Sequence, residues 1–269
     1  ATMRDWKHQA SVPEMIDVTV KNRDDWMDAK SRMTFERDRV PWKQLEALWP
    51  RWEREGAWIY AGGWFGFDVT HAWFIGTERE LIALIEDPEW CVDMWTTQQE
   101  LSLSLLDAVW DAGYRFDGLK WPDDMGYKYS QFFSVDTYRE LLKPIHRRAI
   151  EWAHEKGIRA LLHSCGEISP FVEDLVGMGL DGLNPLEVKA GVDPKAIKQA
   201  HGSDLLLHGG FNALLWYDLE ELEATIRRDL PTLMESGGYI FGSDHSTPSN
   251  VGVDDFQRIV SLVKELGTY

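Results

Sequence analysis

From Gly56 onward, short apolar runs alternate with amphipathic stretches, and this alternation confines the chain to repeated βα units around a mostly parallel sheet. The pattern predicts strands at Ala57–Gly63, Phe116–Trp121, Arg159–Ser164, Gly182–Asn184, Asp204–His208 and Gly238–Gly242. Between them it predicts helices at Glu78–Glu86, Glu89–Ala112, Val135–Glu155, Ser169–Met178, Pro194–Ala200, Leu219–Glu235 and Asp254–Leu266. Ser134 and Asp218 suit N-caps, while Gly113, Gly157 and Gly267 suit the position just past a helix. Residues 1–55 read as extended polar segments followed by helices at Lys30–Arg39 and Pro41–Arg54. No low-complexity linker interrupts the pattern, so one domain over residues 1–269 is expected, with 1–55 as a helical and extended lead-in.

Six strands are two short of a closed (β/α)8 barrel. Either two are hidden in Val12–Val20 and its surroundings, or an N-terminal piece lies outside this chain. An open doubly wound sheet is the other architecture that the alternation allows. Its dinucleotide-binding form is disfavoured, because Gly62-Gly63-Trp64-Phe65-Gly66 lacks the phosphate-loop spacing and a helix start.

A formal net charge of −17 opposes binding to nucleic-acid phosphate or to an anionic membrane surface. No apolar run approaches membrane-spanning length, and two cysteines, Cys91 and Cys165, are too few for a disulfide framework. A cytoplasmic protein is therefore expected. Of 14 tryptophans, 13 fall between Trp6 and Trp152. They suit packing between elements, and Trp64, Phe65, Trp73 and Phe74 alternatively suit an aromatic pocket wall.

The run His163-Ser164-Cys165-Gly166 ends the third predicted strand. Side chains i and i+2 of a strand share a side, so an imidazole and a thiol converge where α/β folds build their sites. With a distant third ligand they suit Zn²⁺ with one position open. A core histidine beside a small buried thiol is the alternative reading. Asp123 and Asp124 follow another strand and suit substrate anchoring or general acid–base work, or N-capping and loop hydrogen bonds. Glu187 suits a fourth ligand or a pocket acid, or a solvated loop carboxylate. Lys120, His208 and Asn212 suit pocket lining.

Taken in order, several short motifs resemble the uroporphyrinogen decarboxylase-like superfamily, over essentially the whole chain. They are Asp117-Gly118 with Asp123-Asp124-Met125-Gly126, Ser134 with Tyr138 and Lys143-Pro144, His163-Ser164-Cys165-Gly166, Asp181-Gly182-Leu183-Asn184-Pro185, Gly209-Gly210 and Gly237-Gly238-Tyr239-Ile240. The resemblance implies a TIM-type barrel whose first one or two strands lie in an N-terminal stretch missing here. It is stronger to the zinc-dependent methylcobalamin methyltransferases, which use His-x-Cys and a distant Cys as ligands. His163 and Cys165 match that pattern, and the distant position falls on His245, a departure from it. The resemblance thus implies Zn²⁺ on His163, Cys165 and His245, with Glu187 at the open position. It further implies a methylcorrinoid donor on a partner protein and a small thiol acceptor, and it is compatible with a homodimer. The alternatives are decarboxylation of a tetrapyrrole, with Asp123 or Asp124 stabilising a protonated pyrrole, and a catalytically inactive relative.

Overall fold

The computed structural model describes residues 2–4 and 14–268. All six predicted strands are present: β1 Tyr60–Gly62, β2 Gly118–Pro122, β3 Arg159–His163, β4 Gly182–Asn184, β5 Leu206–His208 and β6 Tyr239–Ile240. They neighbour one another in sequence order, β1 to β6. Tyr60 lies opposite Gly118, His163 opposite Asn184, Gly182 opposite Leu206 and Tyr239 opposite Leu207, each in a parallel pair. A doubly wound sheet reverses its strand order at a switch point, and no reversal occurs here. The order is that of a βα barrel, and the doubly wound alternative is set aside.

Of the segment where hidden strands were expected, Glu14–Asp17 is a strand. It pairs antiparallel with Thr2–Arg4 in a separate two-stranded sheet. Val12 lies outside the described residues. Among those residues, β1 and β6 each have one strand neighbour. No described helix is long and apolar enough to cross a membrane.

The chain divides into two compact units, Ala1–Asp123 with Phe133–Ala160, and Asp124–Phe132 with Leu161–Tyr269. In the first unit, the helix expected at Lys30–Arg39 is instead Arg23–Ser31, with only a 3-10 turn at Arg37–Arg39. Asn22 starts it, its side chain accepting from the Asp25 N–H, and Trp26 and Ala29 face inward three residues apart. The buried Trp26 donates through Nε1 to Asp93 at 2.6 Å. Helices Trp42–Arg54, Thr77–Glu86 and Pro88–Asp111 follow the predicted pattern closely. The predicted Val135–Glu155 helix is broken by a π-turn at Tyr138–Leu142, just before Pro144. Proline has no N–H to donate and crowds the carbonyl four residues back, which favours the wider turn.

Trp26, Phe65, Phe67, Trp95, Leu119 and Trp121 are fully buried, and Phe65 stacks on Trp121 with centroids 5.8 Å apart. Trp58, Trp64 and Trp73 remain exposed, so the tryptophans serve packing at most positions and the surface at a few. The fully buried Glu80 accepts from Trp95 Nε1 at 2.9 Å. Burial raises its carboxyl well above the usual range. The Trp95 bond opposes that shift, and the nearby Asp123 and Asp68 charges add to it.

In the second unit, helices Pro194–His201, Leu219–Met234 and Val253–Leu266 match expectation. The predicted Ser169–Met178 helix is a 3-10 turn at Ser169–Phe171 followed by Val172–Gly177. Asp218 caps its helix as expected, whereas Gly267 has φ −93° and is no left-handed stop. Burial alternates along β3 and just past it: Ala160, Leu162 and Ser164 are buried, while Leu161, His163 and Cys165 are half-exposed.

Two stability tests follow from this core. Phe65→Ala should cost about 3–5 kcal/mol, and the neighbouring Trp64→Ala, being at the surface, within about 0.5 kcal/mol, both read from urea unfolding. Because the folded-state pKa of Glu80 is raised, its contribution is fully present below the ordinary carboxylate pKa. It is lost as pH rises towards the folded value. Glu80→Gln should therefore flatten the decline in stability on going from mildly acidic to neutral pH. A variant whose unfolding midpoints track the wild type across that range would show that Glu80 does not titrate in this way.

Candidate metal centre

The alternation along β3 carries His163 and Cys165 out on one side while Leu162 and Ser164 anchor the other. Ser164 Oγ accepts from the Met125 N–H at 3.1 Å, which ties the strand end to the segment after β2. Cys165 Sγ lies 3.4 Å from His163 Nε2, and His163 Nδ1 lies 2.6 Å from Asn184 Oδ1 on β4. Gly166 then turns the chain with φ 82°, and any side chain there would collide with Gly126, whose carbonyl carbon lies 2.1 Å from an ideal Cβ position. Only glycine permits that approach between the 165–167 turn and the Gly126–Tyr127/Ser130–Gln131 hairpin.

Carboxylates fix these turns by accepting backbone N–H groups. Asp124 Oδ1 accepts from Cys165 at 2.7 Å and also lies 3.8 Å from His163 Nε2. Glu187 Oε2 accepts from Gly166 at 2.6 Å, and its Oε1 pairs with Lys189 Nζ at 3.3 Å. The fully buried Asp244 accepts from Ala213 at 2.8 Å and from Lys189 at 3.2 Å, joining three loops. Asp124, His163 and Cys165 are the one set of three metal-ligating side chains among the described residues whose ligand atoms all lie within 4.8 Å of one another.

His245, expected as the third ligand, is not in that set, and neither is Glu187. Asp244 engages backbone N–H groups, so its carboxylate is committed to the loops. The other lining candidates of this unit also sit in local structure: Asn184 Nδ2 donates to the His208 carbonyl at 3.1 Å, and the Asn212 side chain caps the 3-10 turn Ala213–Tyr217. Cys91, in the first unit, is buried and its thiol is pushed up by desolvation, so Cys165 is the sulfur placed for chemistry.

The remaining candidates belong to the first unit. Trp64 is exposed against Trp73 at 5.7 Å, while Phe65 is core. Lys120 has its pKa lowered by burial, with Nζ 5.4 Å from the Tyr60 ring centre. Asp123 is fully buried, accepting from the Asp68 N–H at 2.8 Å and facing His146 Nε2 at 2.8 Å, with Tyr138 on the other ring nitrogen. Gly66, at φ 106°, leaves the space this carboxylate fills. Consecutive residues in extended chain point to opposite sides, so one of an adjacent Asp pair goes inward and the other outward. That rule was the available signal for separating Asp123 from Asp124.

No curated protein matches the sequence. Among solved structures, a methyltransferase from Methanosarcina mazei shares the fold, with a TM-score of 0.63 and 20% identity. The match covers 83% of this chain and 64% of that one, so this chain spans under two thirds of the methyltransferase's length. The family model described as uroporphyrinogen decarboxylase (URO-D) matches residues 76–266, a stretch holding five of the six parallel strands and all three clustered side chains. The chain belongs to the uroporphyrinogen decarboxylase (URO-D) family.

Proposed function

We propose that this chain is a zinc-dependent, methyltransferase-like enzyme that moves a methyl group between a corrinoid, presented by a partner protein, and a small thiol acceptor. The observation that carries the reading is the meeting of His163 Nε2, Cys165 Sγ and Asp124 Oδ1 at the carboxyl end of β3. Ligands on tetrahedral zinc sit roughly 3.3–3.8 Å apart, given metal–ligand bonds of about 2.0–2.3 Å. The 3.4 Å and 3.8 Å separations from His163 Nε2 fit that spacing, and the Cys165 and Asp124 ligand atoms lie within 4.8 Å of each other. One imidazole, one thiolate and one carboxylate are ordinary zinc donors, and three protein ligands leave a position for substrate.

When bound, zinc supplies a Lewis acid that keeps a coordinated thiol in its thiolate form near neutral pH. The chain's own residues supply the frame. Asp124 both faces the centre and holds the Cys165 N–H, and Glu187 pins the Gly166 N–H behind it. Asp124 would thus take the place that the methyltransferase pattern gives to a distant cysteine. Enclosure of Asp123 by His146 and Asp68 favours this reading over a decarboxylase in which Asp123 meets substrate. Sharing a fold with a methyltransferase supports it further.

Metal analysis after dialysis should find about one zinc per wild-type chain. Cys165→Ser and Asp124→Asn should each lose most of it, and His245→Ala should keep it. Loss in His245→Ala with retention in Asp124→Asn would make His245 the third donor. For the reaction, zinc-loaded protein is incubated with methylcobalamin and a panel of small thiols, and demethylation is followed by absorbance. Turnover that depends on both zinc and Cys165 is expected. Decarboxylation of a porphyrinogen with methylcobalamin left intact would defeat the methyltransferase reading.

A further inference from the structure

We infer that Asn184 is a positioning residue that holds His163 in its Nδ1–H tautomer and so turns Nε2 towards the metal position. The parallel register sets His163 of β3 directly opposite Asn184 of β4, which places both side chains on the same face of the sheet. The direction of the hydrogen bonds then follows from what each atom can do. The His208 backbone carbonyl only accepts, so the Asn184 group 3.1 Å from it is the Nδ2 amide, a donor. That leaves Oδ1, which only accepts, 2.6 Å from His163 Nδ1, and Nδ1 must therefore carry the proton. A flipped amide would set Oδ1 against a carbonyl oxygen, so the His208 carbonyl at the end of β5 fixes the tautomer two bonds away.

With the proton on Nδ1, Nε2 of the neutral ring has an open lone pair. It faces Cys165 Sγ at 3.4 Å and Asp124 Oδ1 at 3.8 Å. With Nε2 as the acceptor, a Cys165 S–H is the donor that the 3.4 Å contact accommodates. The chain of donors runs one way, from Cys165 to His163 to Asn184 to the His208 carbonyl. A metal ion held here would take the place of the thiol proton, released to solvent, and the bonds from His163 to Asn184 to the His208 carbonyl would stay as they are. Partners on the outer nitrogen of a ligating histidine typically carry 10–100-fold in metal affinity. The functional consequence rests on the zinc reading above, whereas the tautomer itself does not.

The test begins with metal-free wild-type protein carrying ¹⁵N-labelled histidine, in which long-range ¹H–¹⁵N correlation distinguishes the two neutral tautomers. His163 is expected as Nδ1–H, and an Nε2–H ring would overturn the inference even if zinc binds. Zinc affinity is then measured by competition with a chromophoric chelator. Asn184→Leu, which removes the acceptor, should bind about 10–100-fold more weakly. Asn184→Asp, which keeps an acceptor facing Nδ1 but sets its second oxygen against the His208 carbonyl, should bind more tightly than the Leu variant and less tightly than wild type. Equal affinity in wild type and Asn184→Leu would overturn the positioning role, as would equal loss in the Leu and Asp variants. If Asn184→Leu does not fold, the wild-type tautomer and the Asp variant decide the matter. Wild type that shows the Nδ1–H ring but takes up no zinc would sink the metal reading and leave the tautomer assignment standing.

Discussion

Side-chain alternation at the end of β3 is the constraint on which the candidate site depends. Leu162 and Ser164 must point into the packed side for His163 and Cys165 to emerge together on the other. A slip of one residue would bury the imidazole and thiol and expose leucine. The register is held by Leu162 in the core, by the Ser164 N–H donating to the Asn184 carbonyl at 2.8 Å, and by Ser164 Oγ accepting from Met125. Each contact on the structural side of the strand thus fixes the position of a group on the chemical side.

The strong acidity of the chain has a second meaning in the unit that carries the centre. Asp124, Glu187 and Asp244 each accept N–H groups from turns just past the strand ends. These turns are glycine-rich, and a carboxylate bonded to a backbone N–H makes a charge-assisted contact stronger than a neutral one. Negative charge here is a fastening for loops. Placed beside one imidazole and one thiol, it also sets a field that favours a cation at the point where the three ligand atoms meet.

Much of this was legible in the sequence, for a physical reason. The six strands are apolar runs closed by glycine or polar turns, and five of them carry buried side chains, so pattern and structure coincide there; Tyr60–Gly62 was legible from its run of residues although none of the three is buried. The helix Arg23–Ser31 was not legible because it is polar almost all round, with only Trp26 and Ala29 turned inward and an asparagine cap to mark its start. The π-turn ahead of Pro144 depends on how one helix accommodates a missing N–H, which periodicity does not report. At the site, His163 and Cys165 followed from period-two reasoning on a strand. Asn184 did not, because its role depends on which strand lies opposite, and single-chain spacing carries no such information; alternation separates Asp124 from Asp123 without saying which of the two faces the centre. The same gap separates His245, assigned by resemblance to a distant ligand position, from the cluster that the geometry assembles.

The most direct test of the central claim is zinc-edge X-ray absorption on the zinc-loaded chain. One sulfur at about 2.3 Å and nitrogen or oxygen ligands at about 2.0–2.2 Å are expected, with the sulfur contribution gone in Cys165→Ser. A wild-type spectrum containing no sulfur ligand, or one unchanged by Cys165→Ser, would contradict a metal held by His163, Cys165 and Asp124.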